Sequence, residues 1–462
     1  MCVTCTVVAA GRAASSSSRR AEDSVEGGVF NVGGHVAALD WAPSPNGAQA
    51  LYLAVAAHPK DRKQNTVGHA IGGPALLQIW RIGEGLPSLA LALCLQGGVV
   101  WDCKWQPGLQ PSHSSRLGIL AVAQGDGHVS LFSVPNPGDA LLQQDSVRKG
   151  KGRAGSDSAS DKLLRLAPCA EAAPDSLSGS LVSCLEWLPS HPHDLLLAGC
   201  WDGRVACWQV RPLQGSQGSA GSPEQLSMQL LIHFPVTDGP VRALAWAPAE
   251  LAGTTADNAH RHLFAAVGHS LYVRVWDLRD SFRPVLQVVL PQRWRFSVQW
   301  LHDPAGLLTA EDEGGLRWTS LDPFFRRDRM PVSSLFEGTN TGPIWSIHMQ
   351  PGGEQVFYAG DNGEVGTFSI PRGDRYVSSD AHRCLAGVRQ EGEHTRLLSA
   401  SEMAQKSGLF GRKGGQNASH KGHEQAIHSV RCSQAIKYDQ ESEGWAWLAH
   451  GTAAGIVHIK RV

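Results

Sequence analysis

One short segment recurs seven times along this chain, and no other feature narrows its fold so far. Each copy has apolar residues at positions −5, −2 and 0, counted from an anchor that is usually aromatic, and then turns. The anchors are Trp41 (HVAALDWAP), Trp105 (VVWDCKWQPG), Trp187 (LVSCLEWLPS), Trp246 (PVRALAWAP), Trp300 (WRFSVQWLHDP), Met349 (PIWSIHMQPGG) and Cys432 (AIHSVRCSQ). Six copies carry a β-branched residue at −5: Val36, Val100, Val182, Val241, Ile344 and Ile427. The fifth has Arg295 there and is the weakest match. A second apolar run follows each anchor, such as LYLAVAAH, LGILAVAQ, LLLAGC or LFAAVG. A third run ends in a pair such as Ile79-Trp80, Leu131-Phe132, Cys207-Trp208, Val275-Trp276 or Thr367-Phe368. Turns containing Gly125-Asp126-Gly127, Trp201-Asp202-Gly203 and Asp361-Asn362-Gly363 separate the second and third runs. Asp-Gly and Asn-Gly suit a two-residue hairpin turn, whose central residues take φ > 0.

A strand–turn–strand unit repeated in one order cannot bury its faces alone and must stack on its neighbours. Fifteen Trp against five Tyr and five Met, with 51 Gly, agree with many short strands joined by tight turns. The expected fold is all-β, a seven-bladed β-propeller with flexible loop insertions. It spans residues 28–462 behind a disordered N-terminal tail, residues 1–27. Ring closure has its own signal. The seventh repeat holds three strands, near 426–432, 445–450 and 455–461. The segment at residues 28–32 (GVFNV) is expected to supply the fourth, joining the two ends of the sequence in one blade and removing an open edge.

Successive anchors lie 49 to 83 residues apart, where a plain repeat needs roughly 40–45. The excess falls in three polar stretches, about 135–180, 212–223 and 371–422, read as flexible loops outside the core. Their basic clusters, Arg148-Lys149-Gly150-Lys151-Gly152-Arg153 and Arg412-Lys413, suit phosphate contact, nuclear import or ordinary solvated loop charge. The first twenty or so residues are rich in Ser and Ala and carry Arg without acids, which fits a transit peptide or a plain tail.

A formal charge of −1 excludes general attraction of the chain to nucleic acid, so any DNA contact is local or goes through a partner. No apolar run reaches the ~18 residues of a membrane-spanning helix, so no membrane partner is expected. Most of the ten cysteines, among them Cys94, Cys103, Cys184, Cys207 and Cys432, sit in apolar strand patterns. They read as reduced thiols in an intracellular compartment. Cys2 and Cys5 lack a second pair, and His191-Pro192-His193 offers two ligands where a structural zinc needs about four. Phosphate-loop, H-E-x-x-H and G-x-S-x-G motifs are missing. The acids Glu311-Asp312-Glu313 fall in an expected hairpin turn, where solvation is the ordinary reading. No catalytic residue, cofactor, metal ligand or small-molecule substrate is assigned.

In such a ring the innermost strand of each blade starts at one rim of the central channel. Position −4 is then the expected binding surface: Ala37, Trp101, Ser183, Arg242, Phe296, Trp345 and His428. Trp201 and Trp294, with Arg293 and Arg295, are expected on the same rim. Trp and Arg are favoured interface anchors, although a Trp at −4 also suits packing between blades. Phe324, Phe325, Arg326, Arg327 and Arg329 belong at the opposite rim, suited to protein or nucleic-acid contact or to packing beneath their blade.

Val275-Trp276-Asp277 at the end of a third run, Gly422-His423 before the seventh repeat and Gly34-His35 before the first resemble the WD-repeat family. The other repeats have lost one or both signatures. Within that family, residues 97–108 (GGVVWDCKWQPG) and 116–135 (RLGILAVAQGDGHVSLFSVP) are similar to the WD-repeat subunits of general transcription factor IIIC, as are GPALLQIWRIG and GPIWSIHMQPGG. The resemblance implies a nuclear, non-catalytic subunit of a multiprotein complex, paired with a second propeller-bearing subunit. It implies indirect contact with DNA and support of promoter recognition for RNA polymerase III at tRNA and other small RNA genes. About thirty residues precede the first repeat, so DNA contacts of a long N-terminal extension expected of that family are not carried over. Two other classes stay open. One is a generic adaptor, such as a histone-binding chromatin subunit or a cullin-type ubiquitin-ligase substrate receptor, whose W-D-x-R element Trp276-Asp277-Leu278-Arg279 matches once. The other is an organellar scaffold with a cleaved tail.

Overall fold

The computed structural model describes residues 7–9, 27–44, 50–59, 68–83, 85–108, 116–137, 162–213, 225–248, 259–289, 294–301, 305–321, 333–337, 342–350, 355–370, 382–391, 394–399, 402, 426–433 and 446–462. These residues form seven sheets of four or five strands. The recurrent segment is the first strand of every sheet: Gly34–Trp41, Val100–Trp105, Val182–Trp187, Val241–Trp246, Arg295–Leu301, Ile344–Met349 and Ile427–Cys432. Each first strand touches that of the next sheet, and the seventh touches the first. The sheets are therefore blades of a closed ring, a seven-bladed β-propeller, with these strands innermost. Among the described residues no helix is long and apolar enough to cross a membrane.

The core is divided among the gaps between blades. Seven apolar clusters are present among the described residues, each shared by two consecutive blades. The cluster at the seam joins Phe30, Trp447, Ala449, Val457 and Ile459 of blade 7 to Val36, Leu39, Leu53, Val55 and Trp80 of blade 1. Burying one such aliphatic or Phe side chain stabilises by about 1.5–3 kcal/mol, so every gap contributes. Gly451 of blade 7 lies so close to Val36 of blade 1 that an added Cβ would collide with the valine side chain.

The anchor residues explain why the repeat centres on Trp. Each anchor packs in the cluster between its own blade and the one before it, from Trp41 at the seam to Cys432 in the gap between blades 6 and 7. Four anchor indoles also donate a hydrogen bond to the carbonyl at position −1 of the preceding blade. Trp41 donates to Arg431 at 3.1 Å, Trp187 to Lys104 at 3.1 Å, Trp246 to Glu186 at 3.3 Å and Trp300 to Ala245 at 2.8 Å. Side chains also cross the gaps. Asp40 Oδ2 accepts the Trp105 N–H at 2.7 Å, and Asp102 Oδ2 accepts the Leu185 N–H at 2.9 Å. Ser297 and Ser346 accept the N–H of Ile347 and Val430, and His348 Nδ1 accepts that of Cys432.

Closure follows the sequence expectation. Gly27–Asn31 pairs antiparallel with Ile456–Arg461, with Gly28 opposite Ile459 and Phe30 opposite Val457. Phe30 stacks on Trp80 with ring centroids 3.9 Å apart.

Three segments differ from expectation. Val7–Ala9, within the stretch expected to be a disordered tail, pairs on Gly27–Asn31 as a fifth strand. Ala170–Ala172 is the outer strand of blade 2, and Leu163–Leu164 pairs parallel with Ser88–Leu95 of blade 1. Arg383–Glu391 and His394–Ser399 are the outer strands of blade 6. The stretches 135–180 and 371–422 are thus not wholly loops. An outermost strand packs weakly and follows no anchor, so its apolar pattern is faint, yet the open edge it meets offers unpaired N–H and C=O groups. Both basic clusters, Cys2, Cys5 and Gly422-His423 lie outside the described residues. The eight described cysteines are free thiols, and burial pushes Cys184, Cys200, Cys207 and Cys432 up to about 12.

Replacing Trp246 separates packing from hydrogen bonding. Trp246→Phe should cost about 1–2 kcal/mol for the lost N–H bond and the carbonyl left without it, and Trp246→Ala about 3–5 kcal/mol. Chemical denaturation of the two variants measures the difference.

Candidate functional site

All seven inner strands share one irregularity. The pairing of first and second strands slips between −5 and −3 in every blade, at Val36/Ala38, Val100/Asp102, Val182/Cys184, Val241/Ala243, Arg295/Ser297, Ile344/Ser346 and Ile427/Ser429. The residue skipped is always −4. A bulge leaves one residue out of the ladder and re-aims its side chain, so Ala37, Trp101, Ser183, Arg242, Phe296, Trp345 and His428 are released together at one mouth of the channel.

The large members of this set meet in a closed annulus. Trp345 lies 4.5 Å from Phe296 and 5.1 Å from His428, and His428 lies 4.6 Å from His35 (ring centroids). His35 contacts His58 at 5.5 Å, His58 contacts Trp101 at 5.5 Å, and Trp101 contacts Trp201 at 6.0 Å. The Arg242 guanidinium completes the circuit, 5.5 Å from the Trp201 ring and 5.8 Å from that of Phe296, within cation–π range. Where −4 is small, a neighbour takes the space. His35 and His58 stand beside Ala37. Ser183 donates to the carbonyls of Val241 and Gly199, and Trp201 from the adjoining turn occupies that arc.

Of the residues expected on this rim, Trp101, Trp201, Arg242, Phe296, Trp345 and His428 come together. Trp294 stands outside the annulus, 52% exposed and stacked on His269 at 4.3 Å, and His269 in turn meets Phe296 at 6.0 Å. Arg295 requires correction. It is 0% exposed, with Nη2 3.7 Å from Glu311, itself 0% exposed, while Arg317 bonds Glu311 at 2.6 Å. As the −5 residue of its strand it points into the blade interior, where its charge replaces an aliphatic side chain. Glu311 is therefore its buried counter-charge, not a solvated turn acid. Arg293 and the opposite-rim set Phe324, Phe325, Arg326, Arg327 and Arg329 lie outside the described residues. Sequence reasoning missed His35, His58 and His269. The Gly34-His35 pair carries only a family signature in the sequence, and His58 near the end of one second strand and His269 just past the end of another return to the same mouth.

The annulus is rich in donors. The indole N–H groups of Trp101, Trp201 and Trp345 are buried and find no acceptor among the described residues. His58 Nε2 is 2.8 Å from the Val100 carbonyl oxygen. Burial, with His58 nearby, lowers His35 to about 4, and burial with the Arg242 charge lowers His269.

Deeper in the channel, positions −1 and −3 of the inner strands carry Asp40, Asp102, Lys104, Glu186, His348 and Arg431. Lys104 pairs with Glu186 at 2.8 Å. Burial opposes the Lys104 charge, but Glu186, Asp102 and Asp40 together hold its ammonium above the usual range. Burial raises Asp40 to about 6 despite Lys104 and Arg431, and raises Asp102 as well. Burial holds His348 well below the usual imidazole range, helped by Arg431 and Lys104. Among the described residues no group of three or more His, Cys, Asp or Glu is placed to hold a metal ion.

With fold and mouth defined, the class is plain: this chain is a WD-repeat-type β-propeller with an aromatic–cationic annulus at one channel mouth. Its sequence resembles General transcription factor 3C polypeptide 2. The Pongo abelii and Homo sapiens proteins of that name are each 30% identical over 69% of this chain and 35% of their own length. The chain thus spans about a third of the curated relatives it matches. No family model matches the chain.

The raised Asp40 has a measurable consequence. Its protonated form is favoured in the fold, so its contribution to stability grows as pH falls from about 6 toward the unfolded value near 3.8 and is lost as pH rises through that window. Asp40→Asn should melt above the wild type at pH 7.5, with the gap closing below pH 6 in thermal scans at a series of pH values.

Proposed function

We propose that this propeller is a non-catalytic scaffold subunit of a transcription factor IIIC-like complex, docking another protein subunit at the annulus. The observation that carries the reading is the closed circuit of Trp, Phe, Arg and His side chains set on seven aligned bulges, joined to the 30% identity with General transcription factor 3C polypeptide 2. Trp and Arg dominate protein interfaces, and packing between blades is already served by the anchors at position 0. In this reading the protein works in the nucleus and pairs with a second propeller-bearing subunit. It reaches DNA through the complex and supports transcription of tRNA and other small RNA genes by RNA polymerase III.

The adaptor alternative rests on the W-D-x-R element, in which Asp277 and Arg279 bond each other. Arg279 is held by Asp277 through both carboxylate oxygens at 3.0, 3.1 and 2.7 Å.

Affinity purification of the tagged chain tests the assembly. Other factor IIIC subunits should co-purify, and recovery of cullin-adaptor proteins in their place would overturn the reading. Trp101→Ala and Trp345→Ala should each weaken retention of the docked subunit by about 2 kcal/mol or more while leaving the melting temperature within a few degrees. Unfolding without selective loss of a partner would show the two residues to be packing elements.

A further inference from the structure

The annulus has donors without acceptors, and this asymmetry narrows what it takes. Indole and guanidinium groups only donate. Three of the indoles are buried with no acceptor, and Arg242, half-buried between two aromatic rings, has no carboxylate or hydrogen-bond partner among the described residues. A buried donor left unmade is costly, so the mouth is prepared for something rich in acceptors.

The acids of the same rim do not meet this need, because no hydrogen bond or ion pair joins any of them to Arg242 or to the three indoles among the described residues. Asp126 pairs with His128 at 3.1 Å, Asp202 with Arg204 at 3.6 Å and Asp238 with Arg274 at 3.5 Å, and Asp312 accepts the Trp294 N–H at 3.3 Å. Deeper in the channel, Lys104 and Arg431 stand beside Asp40, Asp102 and Glu186. Arg242 is thus a cation at the mouth with no carboxylate partner among the described residues, surrounded by aromatic ring faces.

We propose that the annulus binds an acidic segment of a partner protein, one Asp or Glu carboxylate bonding Arg242 and the indole N–H groups while flanking apolar side chains lie on Phe296, Trp201 and Trp345. The proposal rests on the annulus being the docking face and not on which complex the partner belongs to. A nucleic-acid backbone fits less well. It presents a charge at every phosphate and needs several cations, whereas the described residues of this rim set Arg242 within a circle of aspartates.

The test is selection of random twelve-residue peptides displayed on phage against the immobilised full chain and against Arg242→Gln. Peptides kept by the wild type should be enriched in Asp or Glu next to Leu, Phe or Trp. The best of them, made synthetically and labelled, should lose about tenfold or more in affinity, either on Arg242→Gln or when its own acid is changed to the amide. The peptide-side change keeps the test valid if Arg242→Gln does not fold. Absence of retained peptides, enrichment in Lys or Arg, or equal binding by the amide version would overturn the proposal. Displacement of the peptide by single-stranded DNA, itself weakened by Arg242→Gln, would assign the mouth to nucleic acid. Acidic selection without factor IIIC subunits in the purification would sink the assembly alone, and the reverse pairing would sink the carboxylate alone.

Discussion

The ring depends on contacts that cross every gap between its blades. An anchor at the end of each inner strand packs against the preceding blade, and in four blades its indole donates to that blade's −1 carbonyl. A four-stranded sheet alone would leave two apolar faces wet. The anchor fixes which face meets which neighbour and at what depth, so the clusters between blades form in register. Indole is suited to this task because it fills the volume and still reaches a backbone acceptor. At Met349 and Cys432 no such donor exists, and serine and histidine side chains on the inner strands take over by accepting backbone N–H groups instead.

The same registration produces the annulus. Because the anchors align all seven inner strands, a bulge at the same place in each releases seven side chains at one level. The site is then a property of the ring and not of any blade: no two adjacent blades hold more than a short arc of it. It also follows that sequence change is tolerated at −4 without loss of the fold, as Ala37 and Ser183 show beside Trp101 and Arg242.

Much of this was legible in the sequence because the inner strands are apolar on a strict spacing. The count of seven, the anchors and closure by the segment before the first repeat all came from that pattern. Position −4 was also legible, since strand geometry alone places it near the rim, but the bulge that gives it meaning leaves no compositional trace. Ala170–Ala172 reads as loop because little apolar burial marks it, and Arg383–Glu391 because its buried Ala386 and Val388 form only a short apolar run between charged residues. Arg295 and Glu311 were misplaced for a different reason. Each looks solvated in one dimension, and only the pairing of their strands, which sets them opposite each other, makes them a buried ion pair. His35 and His58 reach the annulus from opposite strands of one hairpin, a proximity that no linear spacing records.

Closure by Gly27–Asn31 also fixes the order in which this protein is finished. That strand is translated before all seven anchors, whereas its partner, Ile456–Arg461, is translated after all of them. At about 5–20 residues per second, the early strand waits for some tens of seconds with Phe30 unpacked. Throughout that time the face of blade 1 bearing Val36, Leu53 and Trp80 lacks its neighbour. Blades 1 to 6 can stack as they emerge, but the toroid locks only once Ile456–Arg461 has emerged to pair with Gly27–Asn31. Until then its two unsealed ends are the surfaces a chaperone would shield and an aggregate would join.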